Sequence, residues 1–403
     1  MVGGPPGAHA DLLRFQLSRR AAHVVLAGWA LVWFVLMHRH GGVSWHFFVQ
    51  GDQVLSDVDD VRGGLHLYAT NPQLQIGPLA FALASVFGAG GPSLGALPAE
   101  MVMAAAGLLV LVQVCAMGDE IRARAGARDD AGYRLLLAGL AFAPVWMNLA
   151  VRFVHVDDVL ALVLAVLAVH AVLRDAPVLA GLLLGMAVDA KPWALPMLAL
   201  VLAVRPGRRI PAVLMALSVI AVVWMPFIVA DPHSIMAAHF TIPNTSASSL
   251  RTIGVTSPAT PYWDRPAQAA LGLVLALLAV RRGRWAGVVL LVVAARVVLD
   301  PGTYTYYVAG LAVGAIVWDQ LGTRRTTPWW TWTTAVALFA SRWLPMSPWW
   351  HGWINLGFFL LCVIVVVVGP PYRWQIPARH RRRRIAAPGD APERELVGAG
   401  SPR

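Results

Sequence analysis

Long apolar runs separated by short polar links are the feature that most constrains the fold of this chain. The sequence has 403 residues, of which 58% are hydrophobic and only 13% are charged. An ordinary soluble domain carries about 25% charged residues. A hydrocarbon core about 30 Å thick is crossed by roughly 20 apolar residues in a helix. The composition therefore predicts an all-α polytopic membrane protein.

We predict about twelve transmembrane helices, within a range of ten to thirteen, because tilted or broken helices can be shorter than the usual span. These spans are Ala21–Met37, Leu97–Met117, Leu135–Val151, Val156–Leu173, Pro177–Ala190, Pro192–Val204, Ile210–Val229, Gln268–Val280, Trp285–Leu299, Tyr306–Trp318, Pro328–Leu344 and Trp353–Val368. The run Pro177–Val204 is interpreted as two short crossings, or one re-entrant pair, broken at Lys191-Pro192. The short apolar segment Ile76–Gly88 is interpreted as a helix lying at the outer face of the membrane.

The distribution of basic residues predicts the orientation. With a cytoplasmic N-terminus, all but eight of the 32 Lys and Arg residues fall on the cytoplasmic side, as the positive-inside rule requires. The eight outward residues are Arg39, Arg62, Arg152, Lys191, Arg251, Arg265, Arg296 and Arg342. We therefore expect a plasma-membrane protein with a cytoplasmic N-terminus (1–20), a transmembrane domain (21–369) and a basic, disordered cytoplasmic tail (370–403).

This topology places both long loops, 39–96 and 230–267, outside the cytoplasm, where we expect the functional groups because binding residues concentrate on loops held by a rigid scaffold. Nucleic-acid binding is not expected, since the arginines follow membrane topology and form no basic domain. Cys115 and Cys362 lie inside apolar runs, which excludes a disulfide framework.

The first long loop combines carboxylates with aromatic side chains, a mixture suited to sugars. Its acidic candidates are Asp52, Asp57, Asp59 and Asp60, and His46 and Tyr68 are candidate binding residues. The alternative is a solvated acidic loop without chemistry.

A second acidic site is Asp157-Asp158, two residues after His155 at the outward start of a predicted span. Adjacent helical residues point about 100° apart, so one carboxylate is expected to face the bundle and the other the loop. The alternative is ordinary capping of a helix N-terminus. Lys191 could bind a phosphate as a point charge, or pair with Asp189.

Four further outward residues are candidates for substrate or phosphate binding: Arg251, Arg265, Arg296 and Asp300. Asp300-Pro301-Gly302 is a turn signal. The tyrosines that follow it, Tyr304, Tyr306 and Tyr307, could be interfacial belt residues.

The order of these pieces resembles a known family. The first span is followed by an outward acidic loop, then by Tyr68, Pro72 and a short interfacial helix, and later by the AGLLLGMAVDAKP stretch Ala180–Pro192. This order is similar to the membrane-embedded GT-C superfamily of glycosyltransferases, in particular the actinobacterial mannosyl- and arabinosyl-type enzymes of the DUF2029 group. The resemblance covers roughly Val24–Val204.

The resemblance implies transfer of a sugar from a polyprenyl-phosphate donor to a cell-envelope glycan or glycolipid, outside the cytoplasm. It implies that a first-loop carboxylate, with Asp52 first, acts as general base. Ser44 stands in the nearest place to the acid that the family usually has before an aromatic stretch, so Asp157 or Asp158 could take this role. Lys191 or an outward arginine would receive the donor phosphate. A divalent metal is possible, although no ligand spacing demands one, and a transporter or flippase of lipid-linked sugars is the alternative function.

Overall fold

The protein is an all-α membrane protein in the part of the chain that its computed structural model describes, residues 17–88, 95–126 and 130–369, with side chains 236–239 excepted. Within these ranges the only β contact is an isolated antiparallel bridge between Pro243 and Ala259. The predicted basic tail 370–403 and most of the predicted N-terminal segment lie outside the described residues.

The α-helices are, in chain order, α1 (Arg19–His38), α2 (Trp45–Ser56), α3 (Leu67–Thr70), α4 (Pro78–Gly88), α5 (Ala96–Arg124), α6 (Ala131–Met147), α7 (Val156–Leu173), α8 (Pro177–Ala190), α9 (Arg209–Ala230), α10 (Ser249–Thr252), α11 (Asp264–Arg281), α12 (Val288–Leu299), α13 (Tyr307–Val317), α14 (Trp329–Thr333) and α15 (Pro348–Val363). The 3-10 helices are Gly64–His66, Pro192–Ala203, Pro206–Arg208, Pro232–His239, Trp285–Gly287 and Ala340–Trp343, and the π-helical segments are Asn148–Phe153, Trp318–Gly322, Thr334–Phe339 and Ile364–Val368.

Six helical segments in the described residues are long and apolar enough to cross a membrane. They are Arg19–His38, Ala96–Arg124, Ala131–Phe153, Val156–Leu173, Pro206–Ala230 and Pro348–Val368. Shorter apolar helices lie at Pro177–Ala190, Pro192–Ala203, Trp285–Leu299 and Tyr307–Gly322. The helix predicted at Ile76–Gly88 is α4, and it is short, as expected. The fold class is confirmed, whereas twelve crossings stay a prediction.

The arginine-rich links meet at one end of the bundle, here called the arginine end. Arg19 forms an ion pair with Asp119 at 3.0 Å, and Arg174 forms one with Glu120 at 2.8 Å. Arg122 donates to the side chain of Gln320 at 2.9 Å. These contacts bring the start of α1, the end of α5, the end of α7 and the link after α13 together.

The long loops meet at the opposite end, here called the loop end. His38 at the end of α1 bonds to Glu100 near the start of α5 at 2.5 Å. The amide of Thr245 donates to the carbonyl of Pro301 at 3.0 Å. The end of α1, the start of α5 and the loop after α12 therefore lie at the end of the bundle opposite the arginine-rich links.

The break at Lys191-Pro192 is confirmed, and the chain folds back there. Asp175, just before α8, forms an ion pair with Arg205, just after the 3-10 helix Pro192–Ala203, at 3.2 Å. A straight helix between these two residues would separate them by about 45 Å at 1.5 Å per residue. Because Asp175 and Arg205 meet at the arginine end, Lys191 lies at the turn of a hairpin that reaches the loop end.

Helices α8 and α9 pack closely because α8 presents glycines to α9. A Cβ atom on Gly181 would collide with the carbonyl of Ala212, and one on Gly185 would come within 2.9 Å of the carbonyl of Ala216. Small residues four apart allow such close approach between membrane helices. The two glycines of the AGLLLG stretch therefore serve packing.

Helix α13 forms the centre of the bundle. Every residue from Tyr307 to Val317 is buried, whereas most apolar side chains of α1 and α9 are exposed or only half-buried. A helix that is apolar all round is stable only inside a large core or in lipid. The central position of α13 fixes its N-terminal tyrosines at the loop end.

The two ends should lie on opposite sides of the membrane. We expect a cysteine at Asp59, in the first long loop, and one at Thr326, in the link after α13, to react with a membrane-impermeant maleimide from opposite sides. Intact cells and inverted vesicles would be compared. Background labelling should be low because Cys115 and Cys362 are buried. Labelling of both positions from one side would contradict this arrangement.

Replacement of Gly181 by leucine should destabilise the fold, because the new side chain would meet the α9 backbone. Overpacking of this kind costs about 1–3 kcal/mol. Gly28→Leu in α1 is the matched control, since nothing lies within 4 Å of a Cβ there. Thermal unfolding of both variants in detergent checks the prediction, and equal midpoints would contradict it.

Candidate functional site

The candidate site is a cluster of charged and aromatic side chains at the loop end. It is formed by the start of α7, the turn after α8, the end of α12 and the start of α13. The members are His155, Asp157, Asp158, Lys191, Trp193, Arg296, Tyr306 and Tyr307. Five of them are predicted site residues: His155, Asp157, Asp158, Lys191 and Arg296. Lys191 lies 34 positions from Asp157, with which it pairs, and Arg296 lies 138 positions from Asp158.

A strained backbone position orients the start of α7. Val154 has φ 54° and ψ 49°, the left-handed region, between the π-helical segment Asn148–Phe153 and α7. A β-branched residue is rarely found there, and such strain costs about 1–3 kcal/mol. The reversal places His155 at the N-cap position and both aspartates in the first turn, where the helix dipole favours carboxylates.

Asp157 is bonded on both oxygens. Its Oδ2 accepts from the Lys191 ammonium, and its Oδ1 lies 3.3 Å from Nδ1 of His155. The same Oδ1 accepts from the amide of Asp158 at 2.8 Å. Lys191 therefore pairs with Asp157, and the alternative pair with Asp189 is not formed.

Asp158 is held by two different donors on one oxygen. Its Oδ1 accepts from the indole of Trp193 at 2.7 Å and from the guanidinium of Arg296 at 3.1 Å. Its Oδ2 lies 3.7 Å from Nδ1 of His155. The expectation that one aspartate faces the loop was wrong, because both are buried. Lys191, at the turn after α8, and Arg296, near the end of α12, compensate the charges of these two buried carboxylates.

Aromatic rings line the cations and the histidine. The Arg296 guanidinium lies 4.4 Å from the ring centroid of Tyr307 and 4.9 Å from that of Trp193. The ring of Tyr306 stacks on His155 with centroids 3.9 Å apart. The interpretation of Tyr306 and Tyr307 as interfacial belt residues was wrong, since both are buried in the cluster.

The cluster is layered, with acids beneath and cations above. The side chains of Asp157 and Asp158 are 0% and 5% exposed, whereas those of Lys191, His155 and Arg296 are 14%, 12% and 12% exposed. A ligand that approaches from the loop end therefore meets positive and imidazole groups first. Ionised donors of this kind form strong hydrogen bonds with an anion.

Ser44 joins the cluster from the first long loop. Its hydroxyl lies 3.0 Å from Nε2 of His155, and its amide donates to the carbonyl of Phe153 at 2.9 Å. Ser44 precedes α2 without capping it through its side chain. The residue that departs from the family pattern is thus directly at the site.

A second ion pair lies beside the cluster and includes two more predicted residues. Arg265 donates to Oδ2 of Asp300 at 3.2 Å, and the amide of Gly302 donates to Oδ1 of the same carboxylate at 2.9 Å. Asp300 directly follows the last residue of α12, four positions after Arg296. This pair fixes the turn between α12 and α13, which positions Tyr306 and Tyr307.

The first-loop acids are not part of the charged cluster. Asp57, Asp59 and Asp60 are exposed, and Asp60 accepts from the amide of Arg62 at 3.0 Å. Asp52 is half-buried and accepts from the hydroxyl of Ser85. It lies one turn after Phe48, whose ring contacts His155 with centroids 6.4 Å apart, so Asp52 borders the site.

The remaining predicted residues have local partners. His46 is exposed and packs on Phe47, and Arg251 donates to the carbonyls of Asn244 and Thr256, which stabilises the second long loop. The hydroxyl of Tyr68 donates to the carbonyl of Ile76 at 2.7 Å. Burial, and to a smaller extent the negative charge of Asp189, raises the pKa of the Tyr68 phenol well above its usual range. The structure places none of these three in the cluster.

Ligand atoms of His155, Asp157 and Asp158 lie within 4.8 Å of one another, so these residues could hold a metal ion. Lys191 is bonded to Oδ2 of Asp157 and Arg296 to Oδ1 of Asp158, and these two positive charges already compensate both carboxylates, which disfavours a further cation. We assign no metal to the cluster.

Sequence reasoning missed Trp193 and the tyrosines. Trp193 follows the Lys191-Pro192 break directly, so its position beside a polar turn was a usable signal. Nothing local to Tyr306 and Tyr307 distinguishes a site residue from a belt residue, because that difference depends on the burial of α13.

Loss of the Lys191 ammonium should destabilise the protein strongly, since it leaves buried Asp157 without its cation. Removal of one partner of a buried pair costs about 3–5 kcal/mol. We expect Lys191→Met to lower the midpoint of thermal unfolding, and Lys191→Met with Asp157→Asn to recover part of it. Arg208→Met is the matched control, because Arg208 is 56% exposed in its pair with Asp175 and such surface pairs contribute at most about 1 kcal/mol. Equal losses in Lys191→Met and Arg208→Met would contradict the prediction.

No family model, no curated protein and no solved structure matches the chain. The resemblance to the GT-C superfamily stays a prediction based on residues and their order, and the geometry of the cluster carries the functional argument.

Proposed function

We propose that this chain is an integral-membrane glycosyltransferase that moves a sugar from a polyprenyl-phosphate donor to a cell-envelope glycan or glycolipid. The sugar is of the mannose or arabinose type, as the family resemblance implies. The observation that carries the proposal is the layered cluster, in which Lys191 and Arg296 are presented above buried Asp157 and Asp158.

Glycosyl transfer from a phosphate needs two kinds of group. A cation must stabilise the negative charge that develops on the departing phosphate, and a base must take a proton from the acceptor hydroxyl. Lys191 and Arg296 supply the cations at a partly covered position, where charge interactions are stronger than in water. His155, the two aspartates and the bordering Asp52 supply proton acceptors.

The aromatic lining supports a sugar as the transferred group. The rings of Trp193 and Tyr307 lie against the guanidinium of Arg296, and the ring of Tyr306 stacks on His155, so aromatic side chains surround the charged groups. Ring faces pack against the apolar face of a pyranose or furanose ring, while hydroxyls bond to the neighbouring charged groups. A site for a phosphate alone would not need this lining.

The position of the cluster supports a lipid-dissolved donor outside the cytoplasm. Positive charge in short loops marks the cytoplasmic side of membrane proteins, which makes the arginine end cytoplasmic and the loop end extracytoplasmic. The first residue of α1, Arg19, lies at the arginine end, and so does Val367 of the last π-helical segment, whose carbonyl accepts from Arg282. The proposed topology therefore has both termini in the cytoplasm.

The test is a transfer assay with purified protein in proteoliposomes. Radiolabelled polyprenyl-phosphate sugar should yield free polyprenyl phosphate only when a glycan or glycolipid acceptor is present. Movement of intact donor across the bilayer without transfer would instead support the transporter or flippase. Neither release nor movement with any of the donors tried would contradict both functions.

The cations should recognise the phosphate and not the prenyl chain. We expect undecaprenyl phosphate to raise the midpoint of thermal unfolding of the wild type, and undecaprenol to leave it unchanged. Arg296→Gln should weaken the phosphate effect and lower transfer about 10- to 100-fold, the range for loss of one charge-assisted hydrogen bond. Arg296→Lys should retain part of both.

Arg62→Gln is the control for the phosphate experiment, because Arg62 is an exposed arginine of the first long loop outside the cluster. It should respond like the wild type. Equal stabilisation of Arg296→Gln and wild type by undecaprenyl phosphate would contradict the assignment of Arg296.

A further inference from the structure

We infer that His155 is the catalytic base that takes the proton of the acceptor hydroxyl, with Asp157 as its positioning residue and the hydroxyl of Ser44 marking where the acceptor binds. The inference rests on the proposed function and deepens it, because it replaces a first-loop carboxylate as the base. The juxtaposition that carries it is a continuous hydrogen-bonded chain from Ser44 through His155 to Asp157.

The partners of the imidazole determine which nitrogen carries the proton. Nδ1 lies 3.3 Å from Oδ1 of Asp157 and 3.7 Å from Oδ2 of Asp158. Ionised carboxylates only accept hydrogen bonds, so in the neutral ring Nδ1 is the donor. Nε2 then presents its lone pair to the Ser44 hydroxyl 3.0 Å away. A neutral imidazole with its free lone pair on a hydroxyl is the arrangement that general-base catalysis requires.

The ring is held in this orientation from three sides. Tyr306 of α13 stacks on one face, Phe48 of α2 meets it edge-on, and Phe153 packs beside it with centroids 6.2 Å apart. The strained turn at Val154 fixes the backbone immediately before it. These contacts fix the orientation in which Nε2 faces Ser44.

The other proton acceptors are less suited. Asp157 and Asp158 lie beneath the cations, and both use oxygens to hold Lys191 and Arg296. Asp52 accepts from Ser85. His155 is 12% exposed and still reaches the surface of the cluster, so an acceptor hydroxyl can replace or join that of Ser44 at Nε2.

The charges balance during the proposed step. The acceptor O–H bond breaks and its proton goes to Nε2 of His155, while the acceptor oxygen forms a bond to the anomeric carbon of the donor. The bond from that carbon to the phosphate oxygen breaks, and its electron pair stays on the departing polyprenyl phosphate. The imidazolium gains one positive charge beside Asp157 and Asp158, and the phosphate gains one negative charge beside Lys191 and Arg296. The net charge of the cluster with its substrates is unchanged, which avoids an uncompensated charge in a poorly solvated site.

The experiment compares transfer with donor binding in the full-length protein. We expect His155→Gln to slow transfer about 100-fold or more, the usual effect of losing a general base. Stabilisation by undecaprenyl phosphate should be retained, since Lys191 and Arg296 remain. Added imidazole should restore part of the activity of His155→Ala, because a free base can occupy the vacated space; a merely structural histidine would not be rescued.

Two control variants separate the alternatives. His233→Gln, at an 81% exposed histidine of the second long loop, should leave transfer unchanged. Ser44→Ala should reduce transfer by less than about tenfold, well below the loss of a general base. Loss of transfer in Ser44→Ala as large as in His155→Gln would overturn the role given to Ser44 and indicate a serine nucleophile.

The outcomes distinguish this inference from the proposed function. If the wild-type protein transfers sugar and His155→Gln does so at the same rate, the inference is overturned and the proposed function stands. Loss of transfer in Asp52→Asn in the same assay would assign the base to the first loop. Wild type that transfers nothing would overturn the proposed function. Folding of each variant is checked by its thermal midpoint in detergent.

Discussion

The buried carboxylates of Asp157 and Asp158 are the constraint on which the rest of the loop end depends. An ionised carboxylate in a poorly solvated place is costly unless it is paired and hydrogen-bonded. Each aspartate has a cation from a different element, Lys191 from the turn after α8 and Arg296 from the end of α12. The two pairs therefore tie two segments of the chain to the start of α7, and the aromatic rings of Trp193, Tyr306 and Tyr307 pack around the connections.

The hairpin at Lys191 shows how packing at one place positions charge at another. Gly181 and Gly185 let α8, the first arm of the hairpin, approach the α9 backbone closely, which fixes the position of α8. Pro192 ends the helix because it cannot continue the hydrogen-bond pattern of α8. The backbone of Lys191 is extended at the turn, with φ −152° and ψ 115°. An extended residue between two helical arms projects its side chain beyond both, which allows a lysine from an apolar hairpin to reach Asp157.

Much of this fold follows from the sequence, and the site follows from it only in part. The membrane class, the break at Lys191-Pro192 and the sorting of arginines to one end are consequences of local composition, which periodicity and charge reveal. The acids of α7 were identified because charges are expensive in apolar runs. The pairing of Asp158 with Arg296, and of His155 with Ser44, depends on which helices are neighbours in the bundle, and no local pattern encodes that. For the same reason the sequence does not reveal that Asp57, Asp59 and Asp60 are exposed and lie apart from the charged cluster.

The order of charges in the cluster has a consequence for any phosphate that binds there. Two cations without acids beneath them would hold a phosphate tightly, and their burial would carry a large desolvation cost. Asp157 and Asp158 compensate that charge, so an anion at the proposed site would be held chiefly by hydrogen bonds from the ammonium of Lys191 and the guanidinium of Arg296. Binding then depends on geometry more than on net charge, and a departing phosphate that has gained a second negative charge is stabilised without being trapped. A site with this balance can pass a lipid phosphate through repeated cycles, whereas a strongly positive site would retain its product.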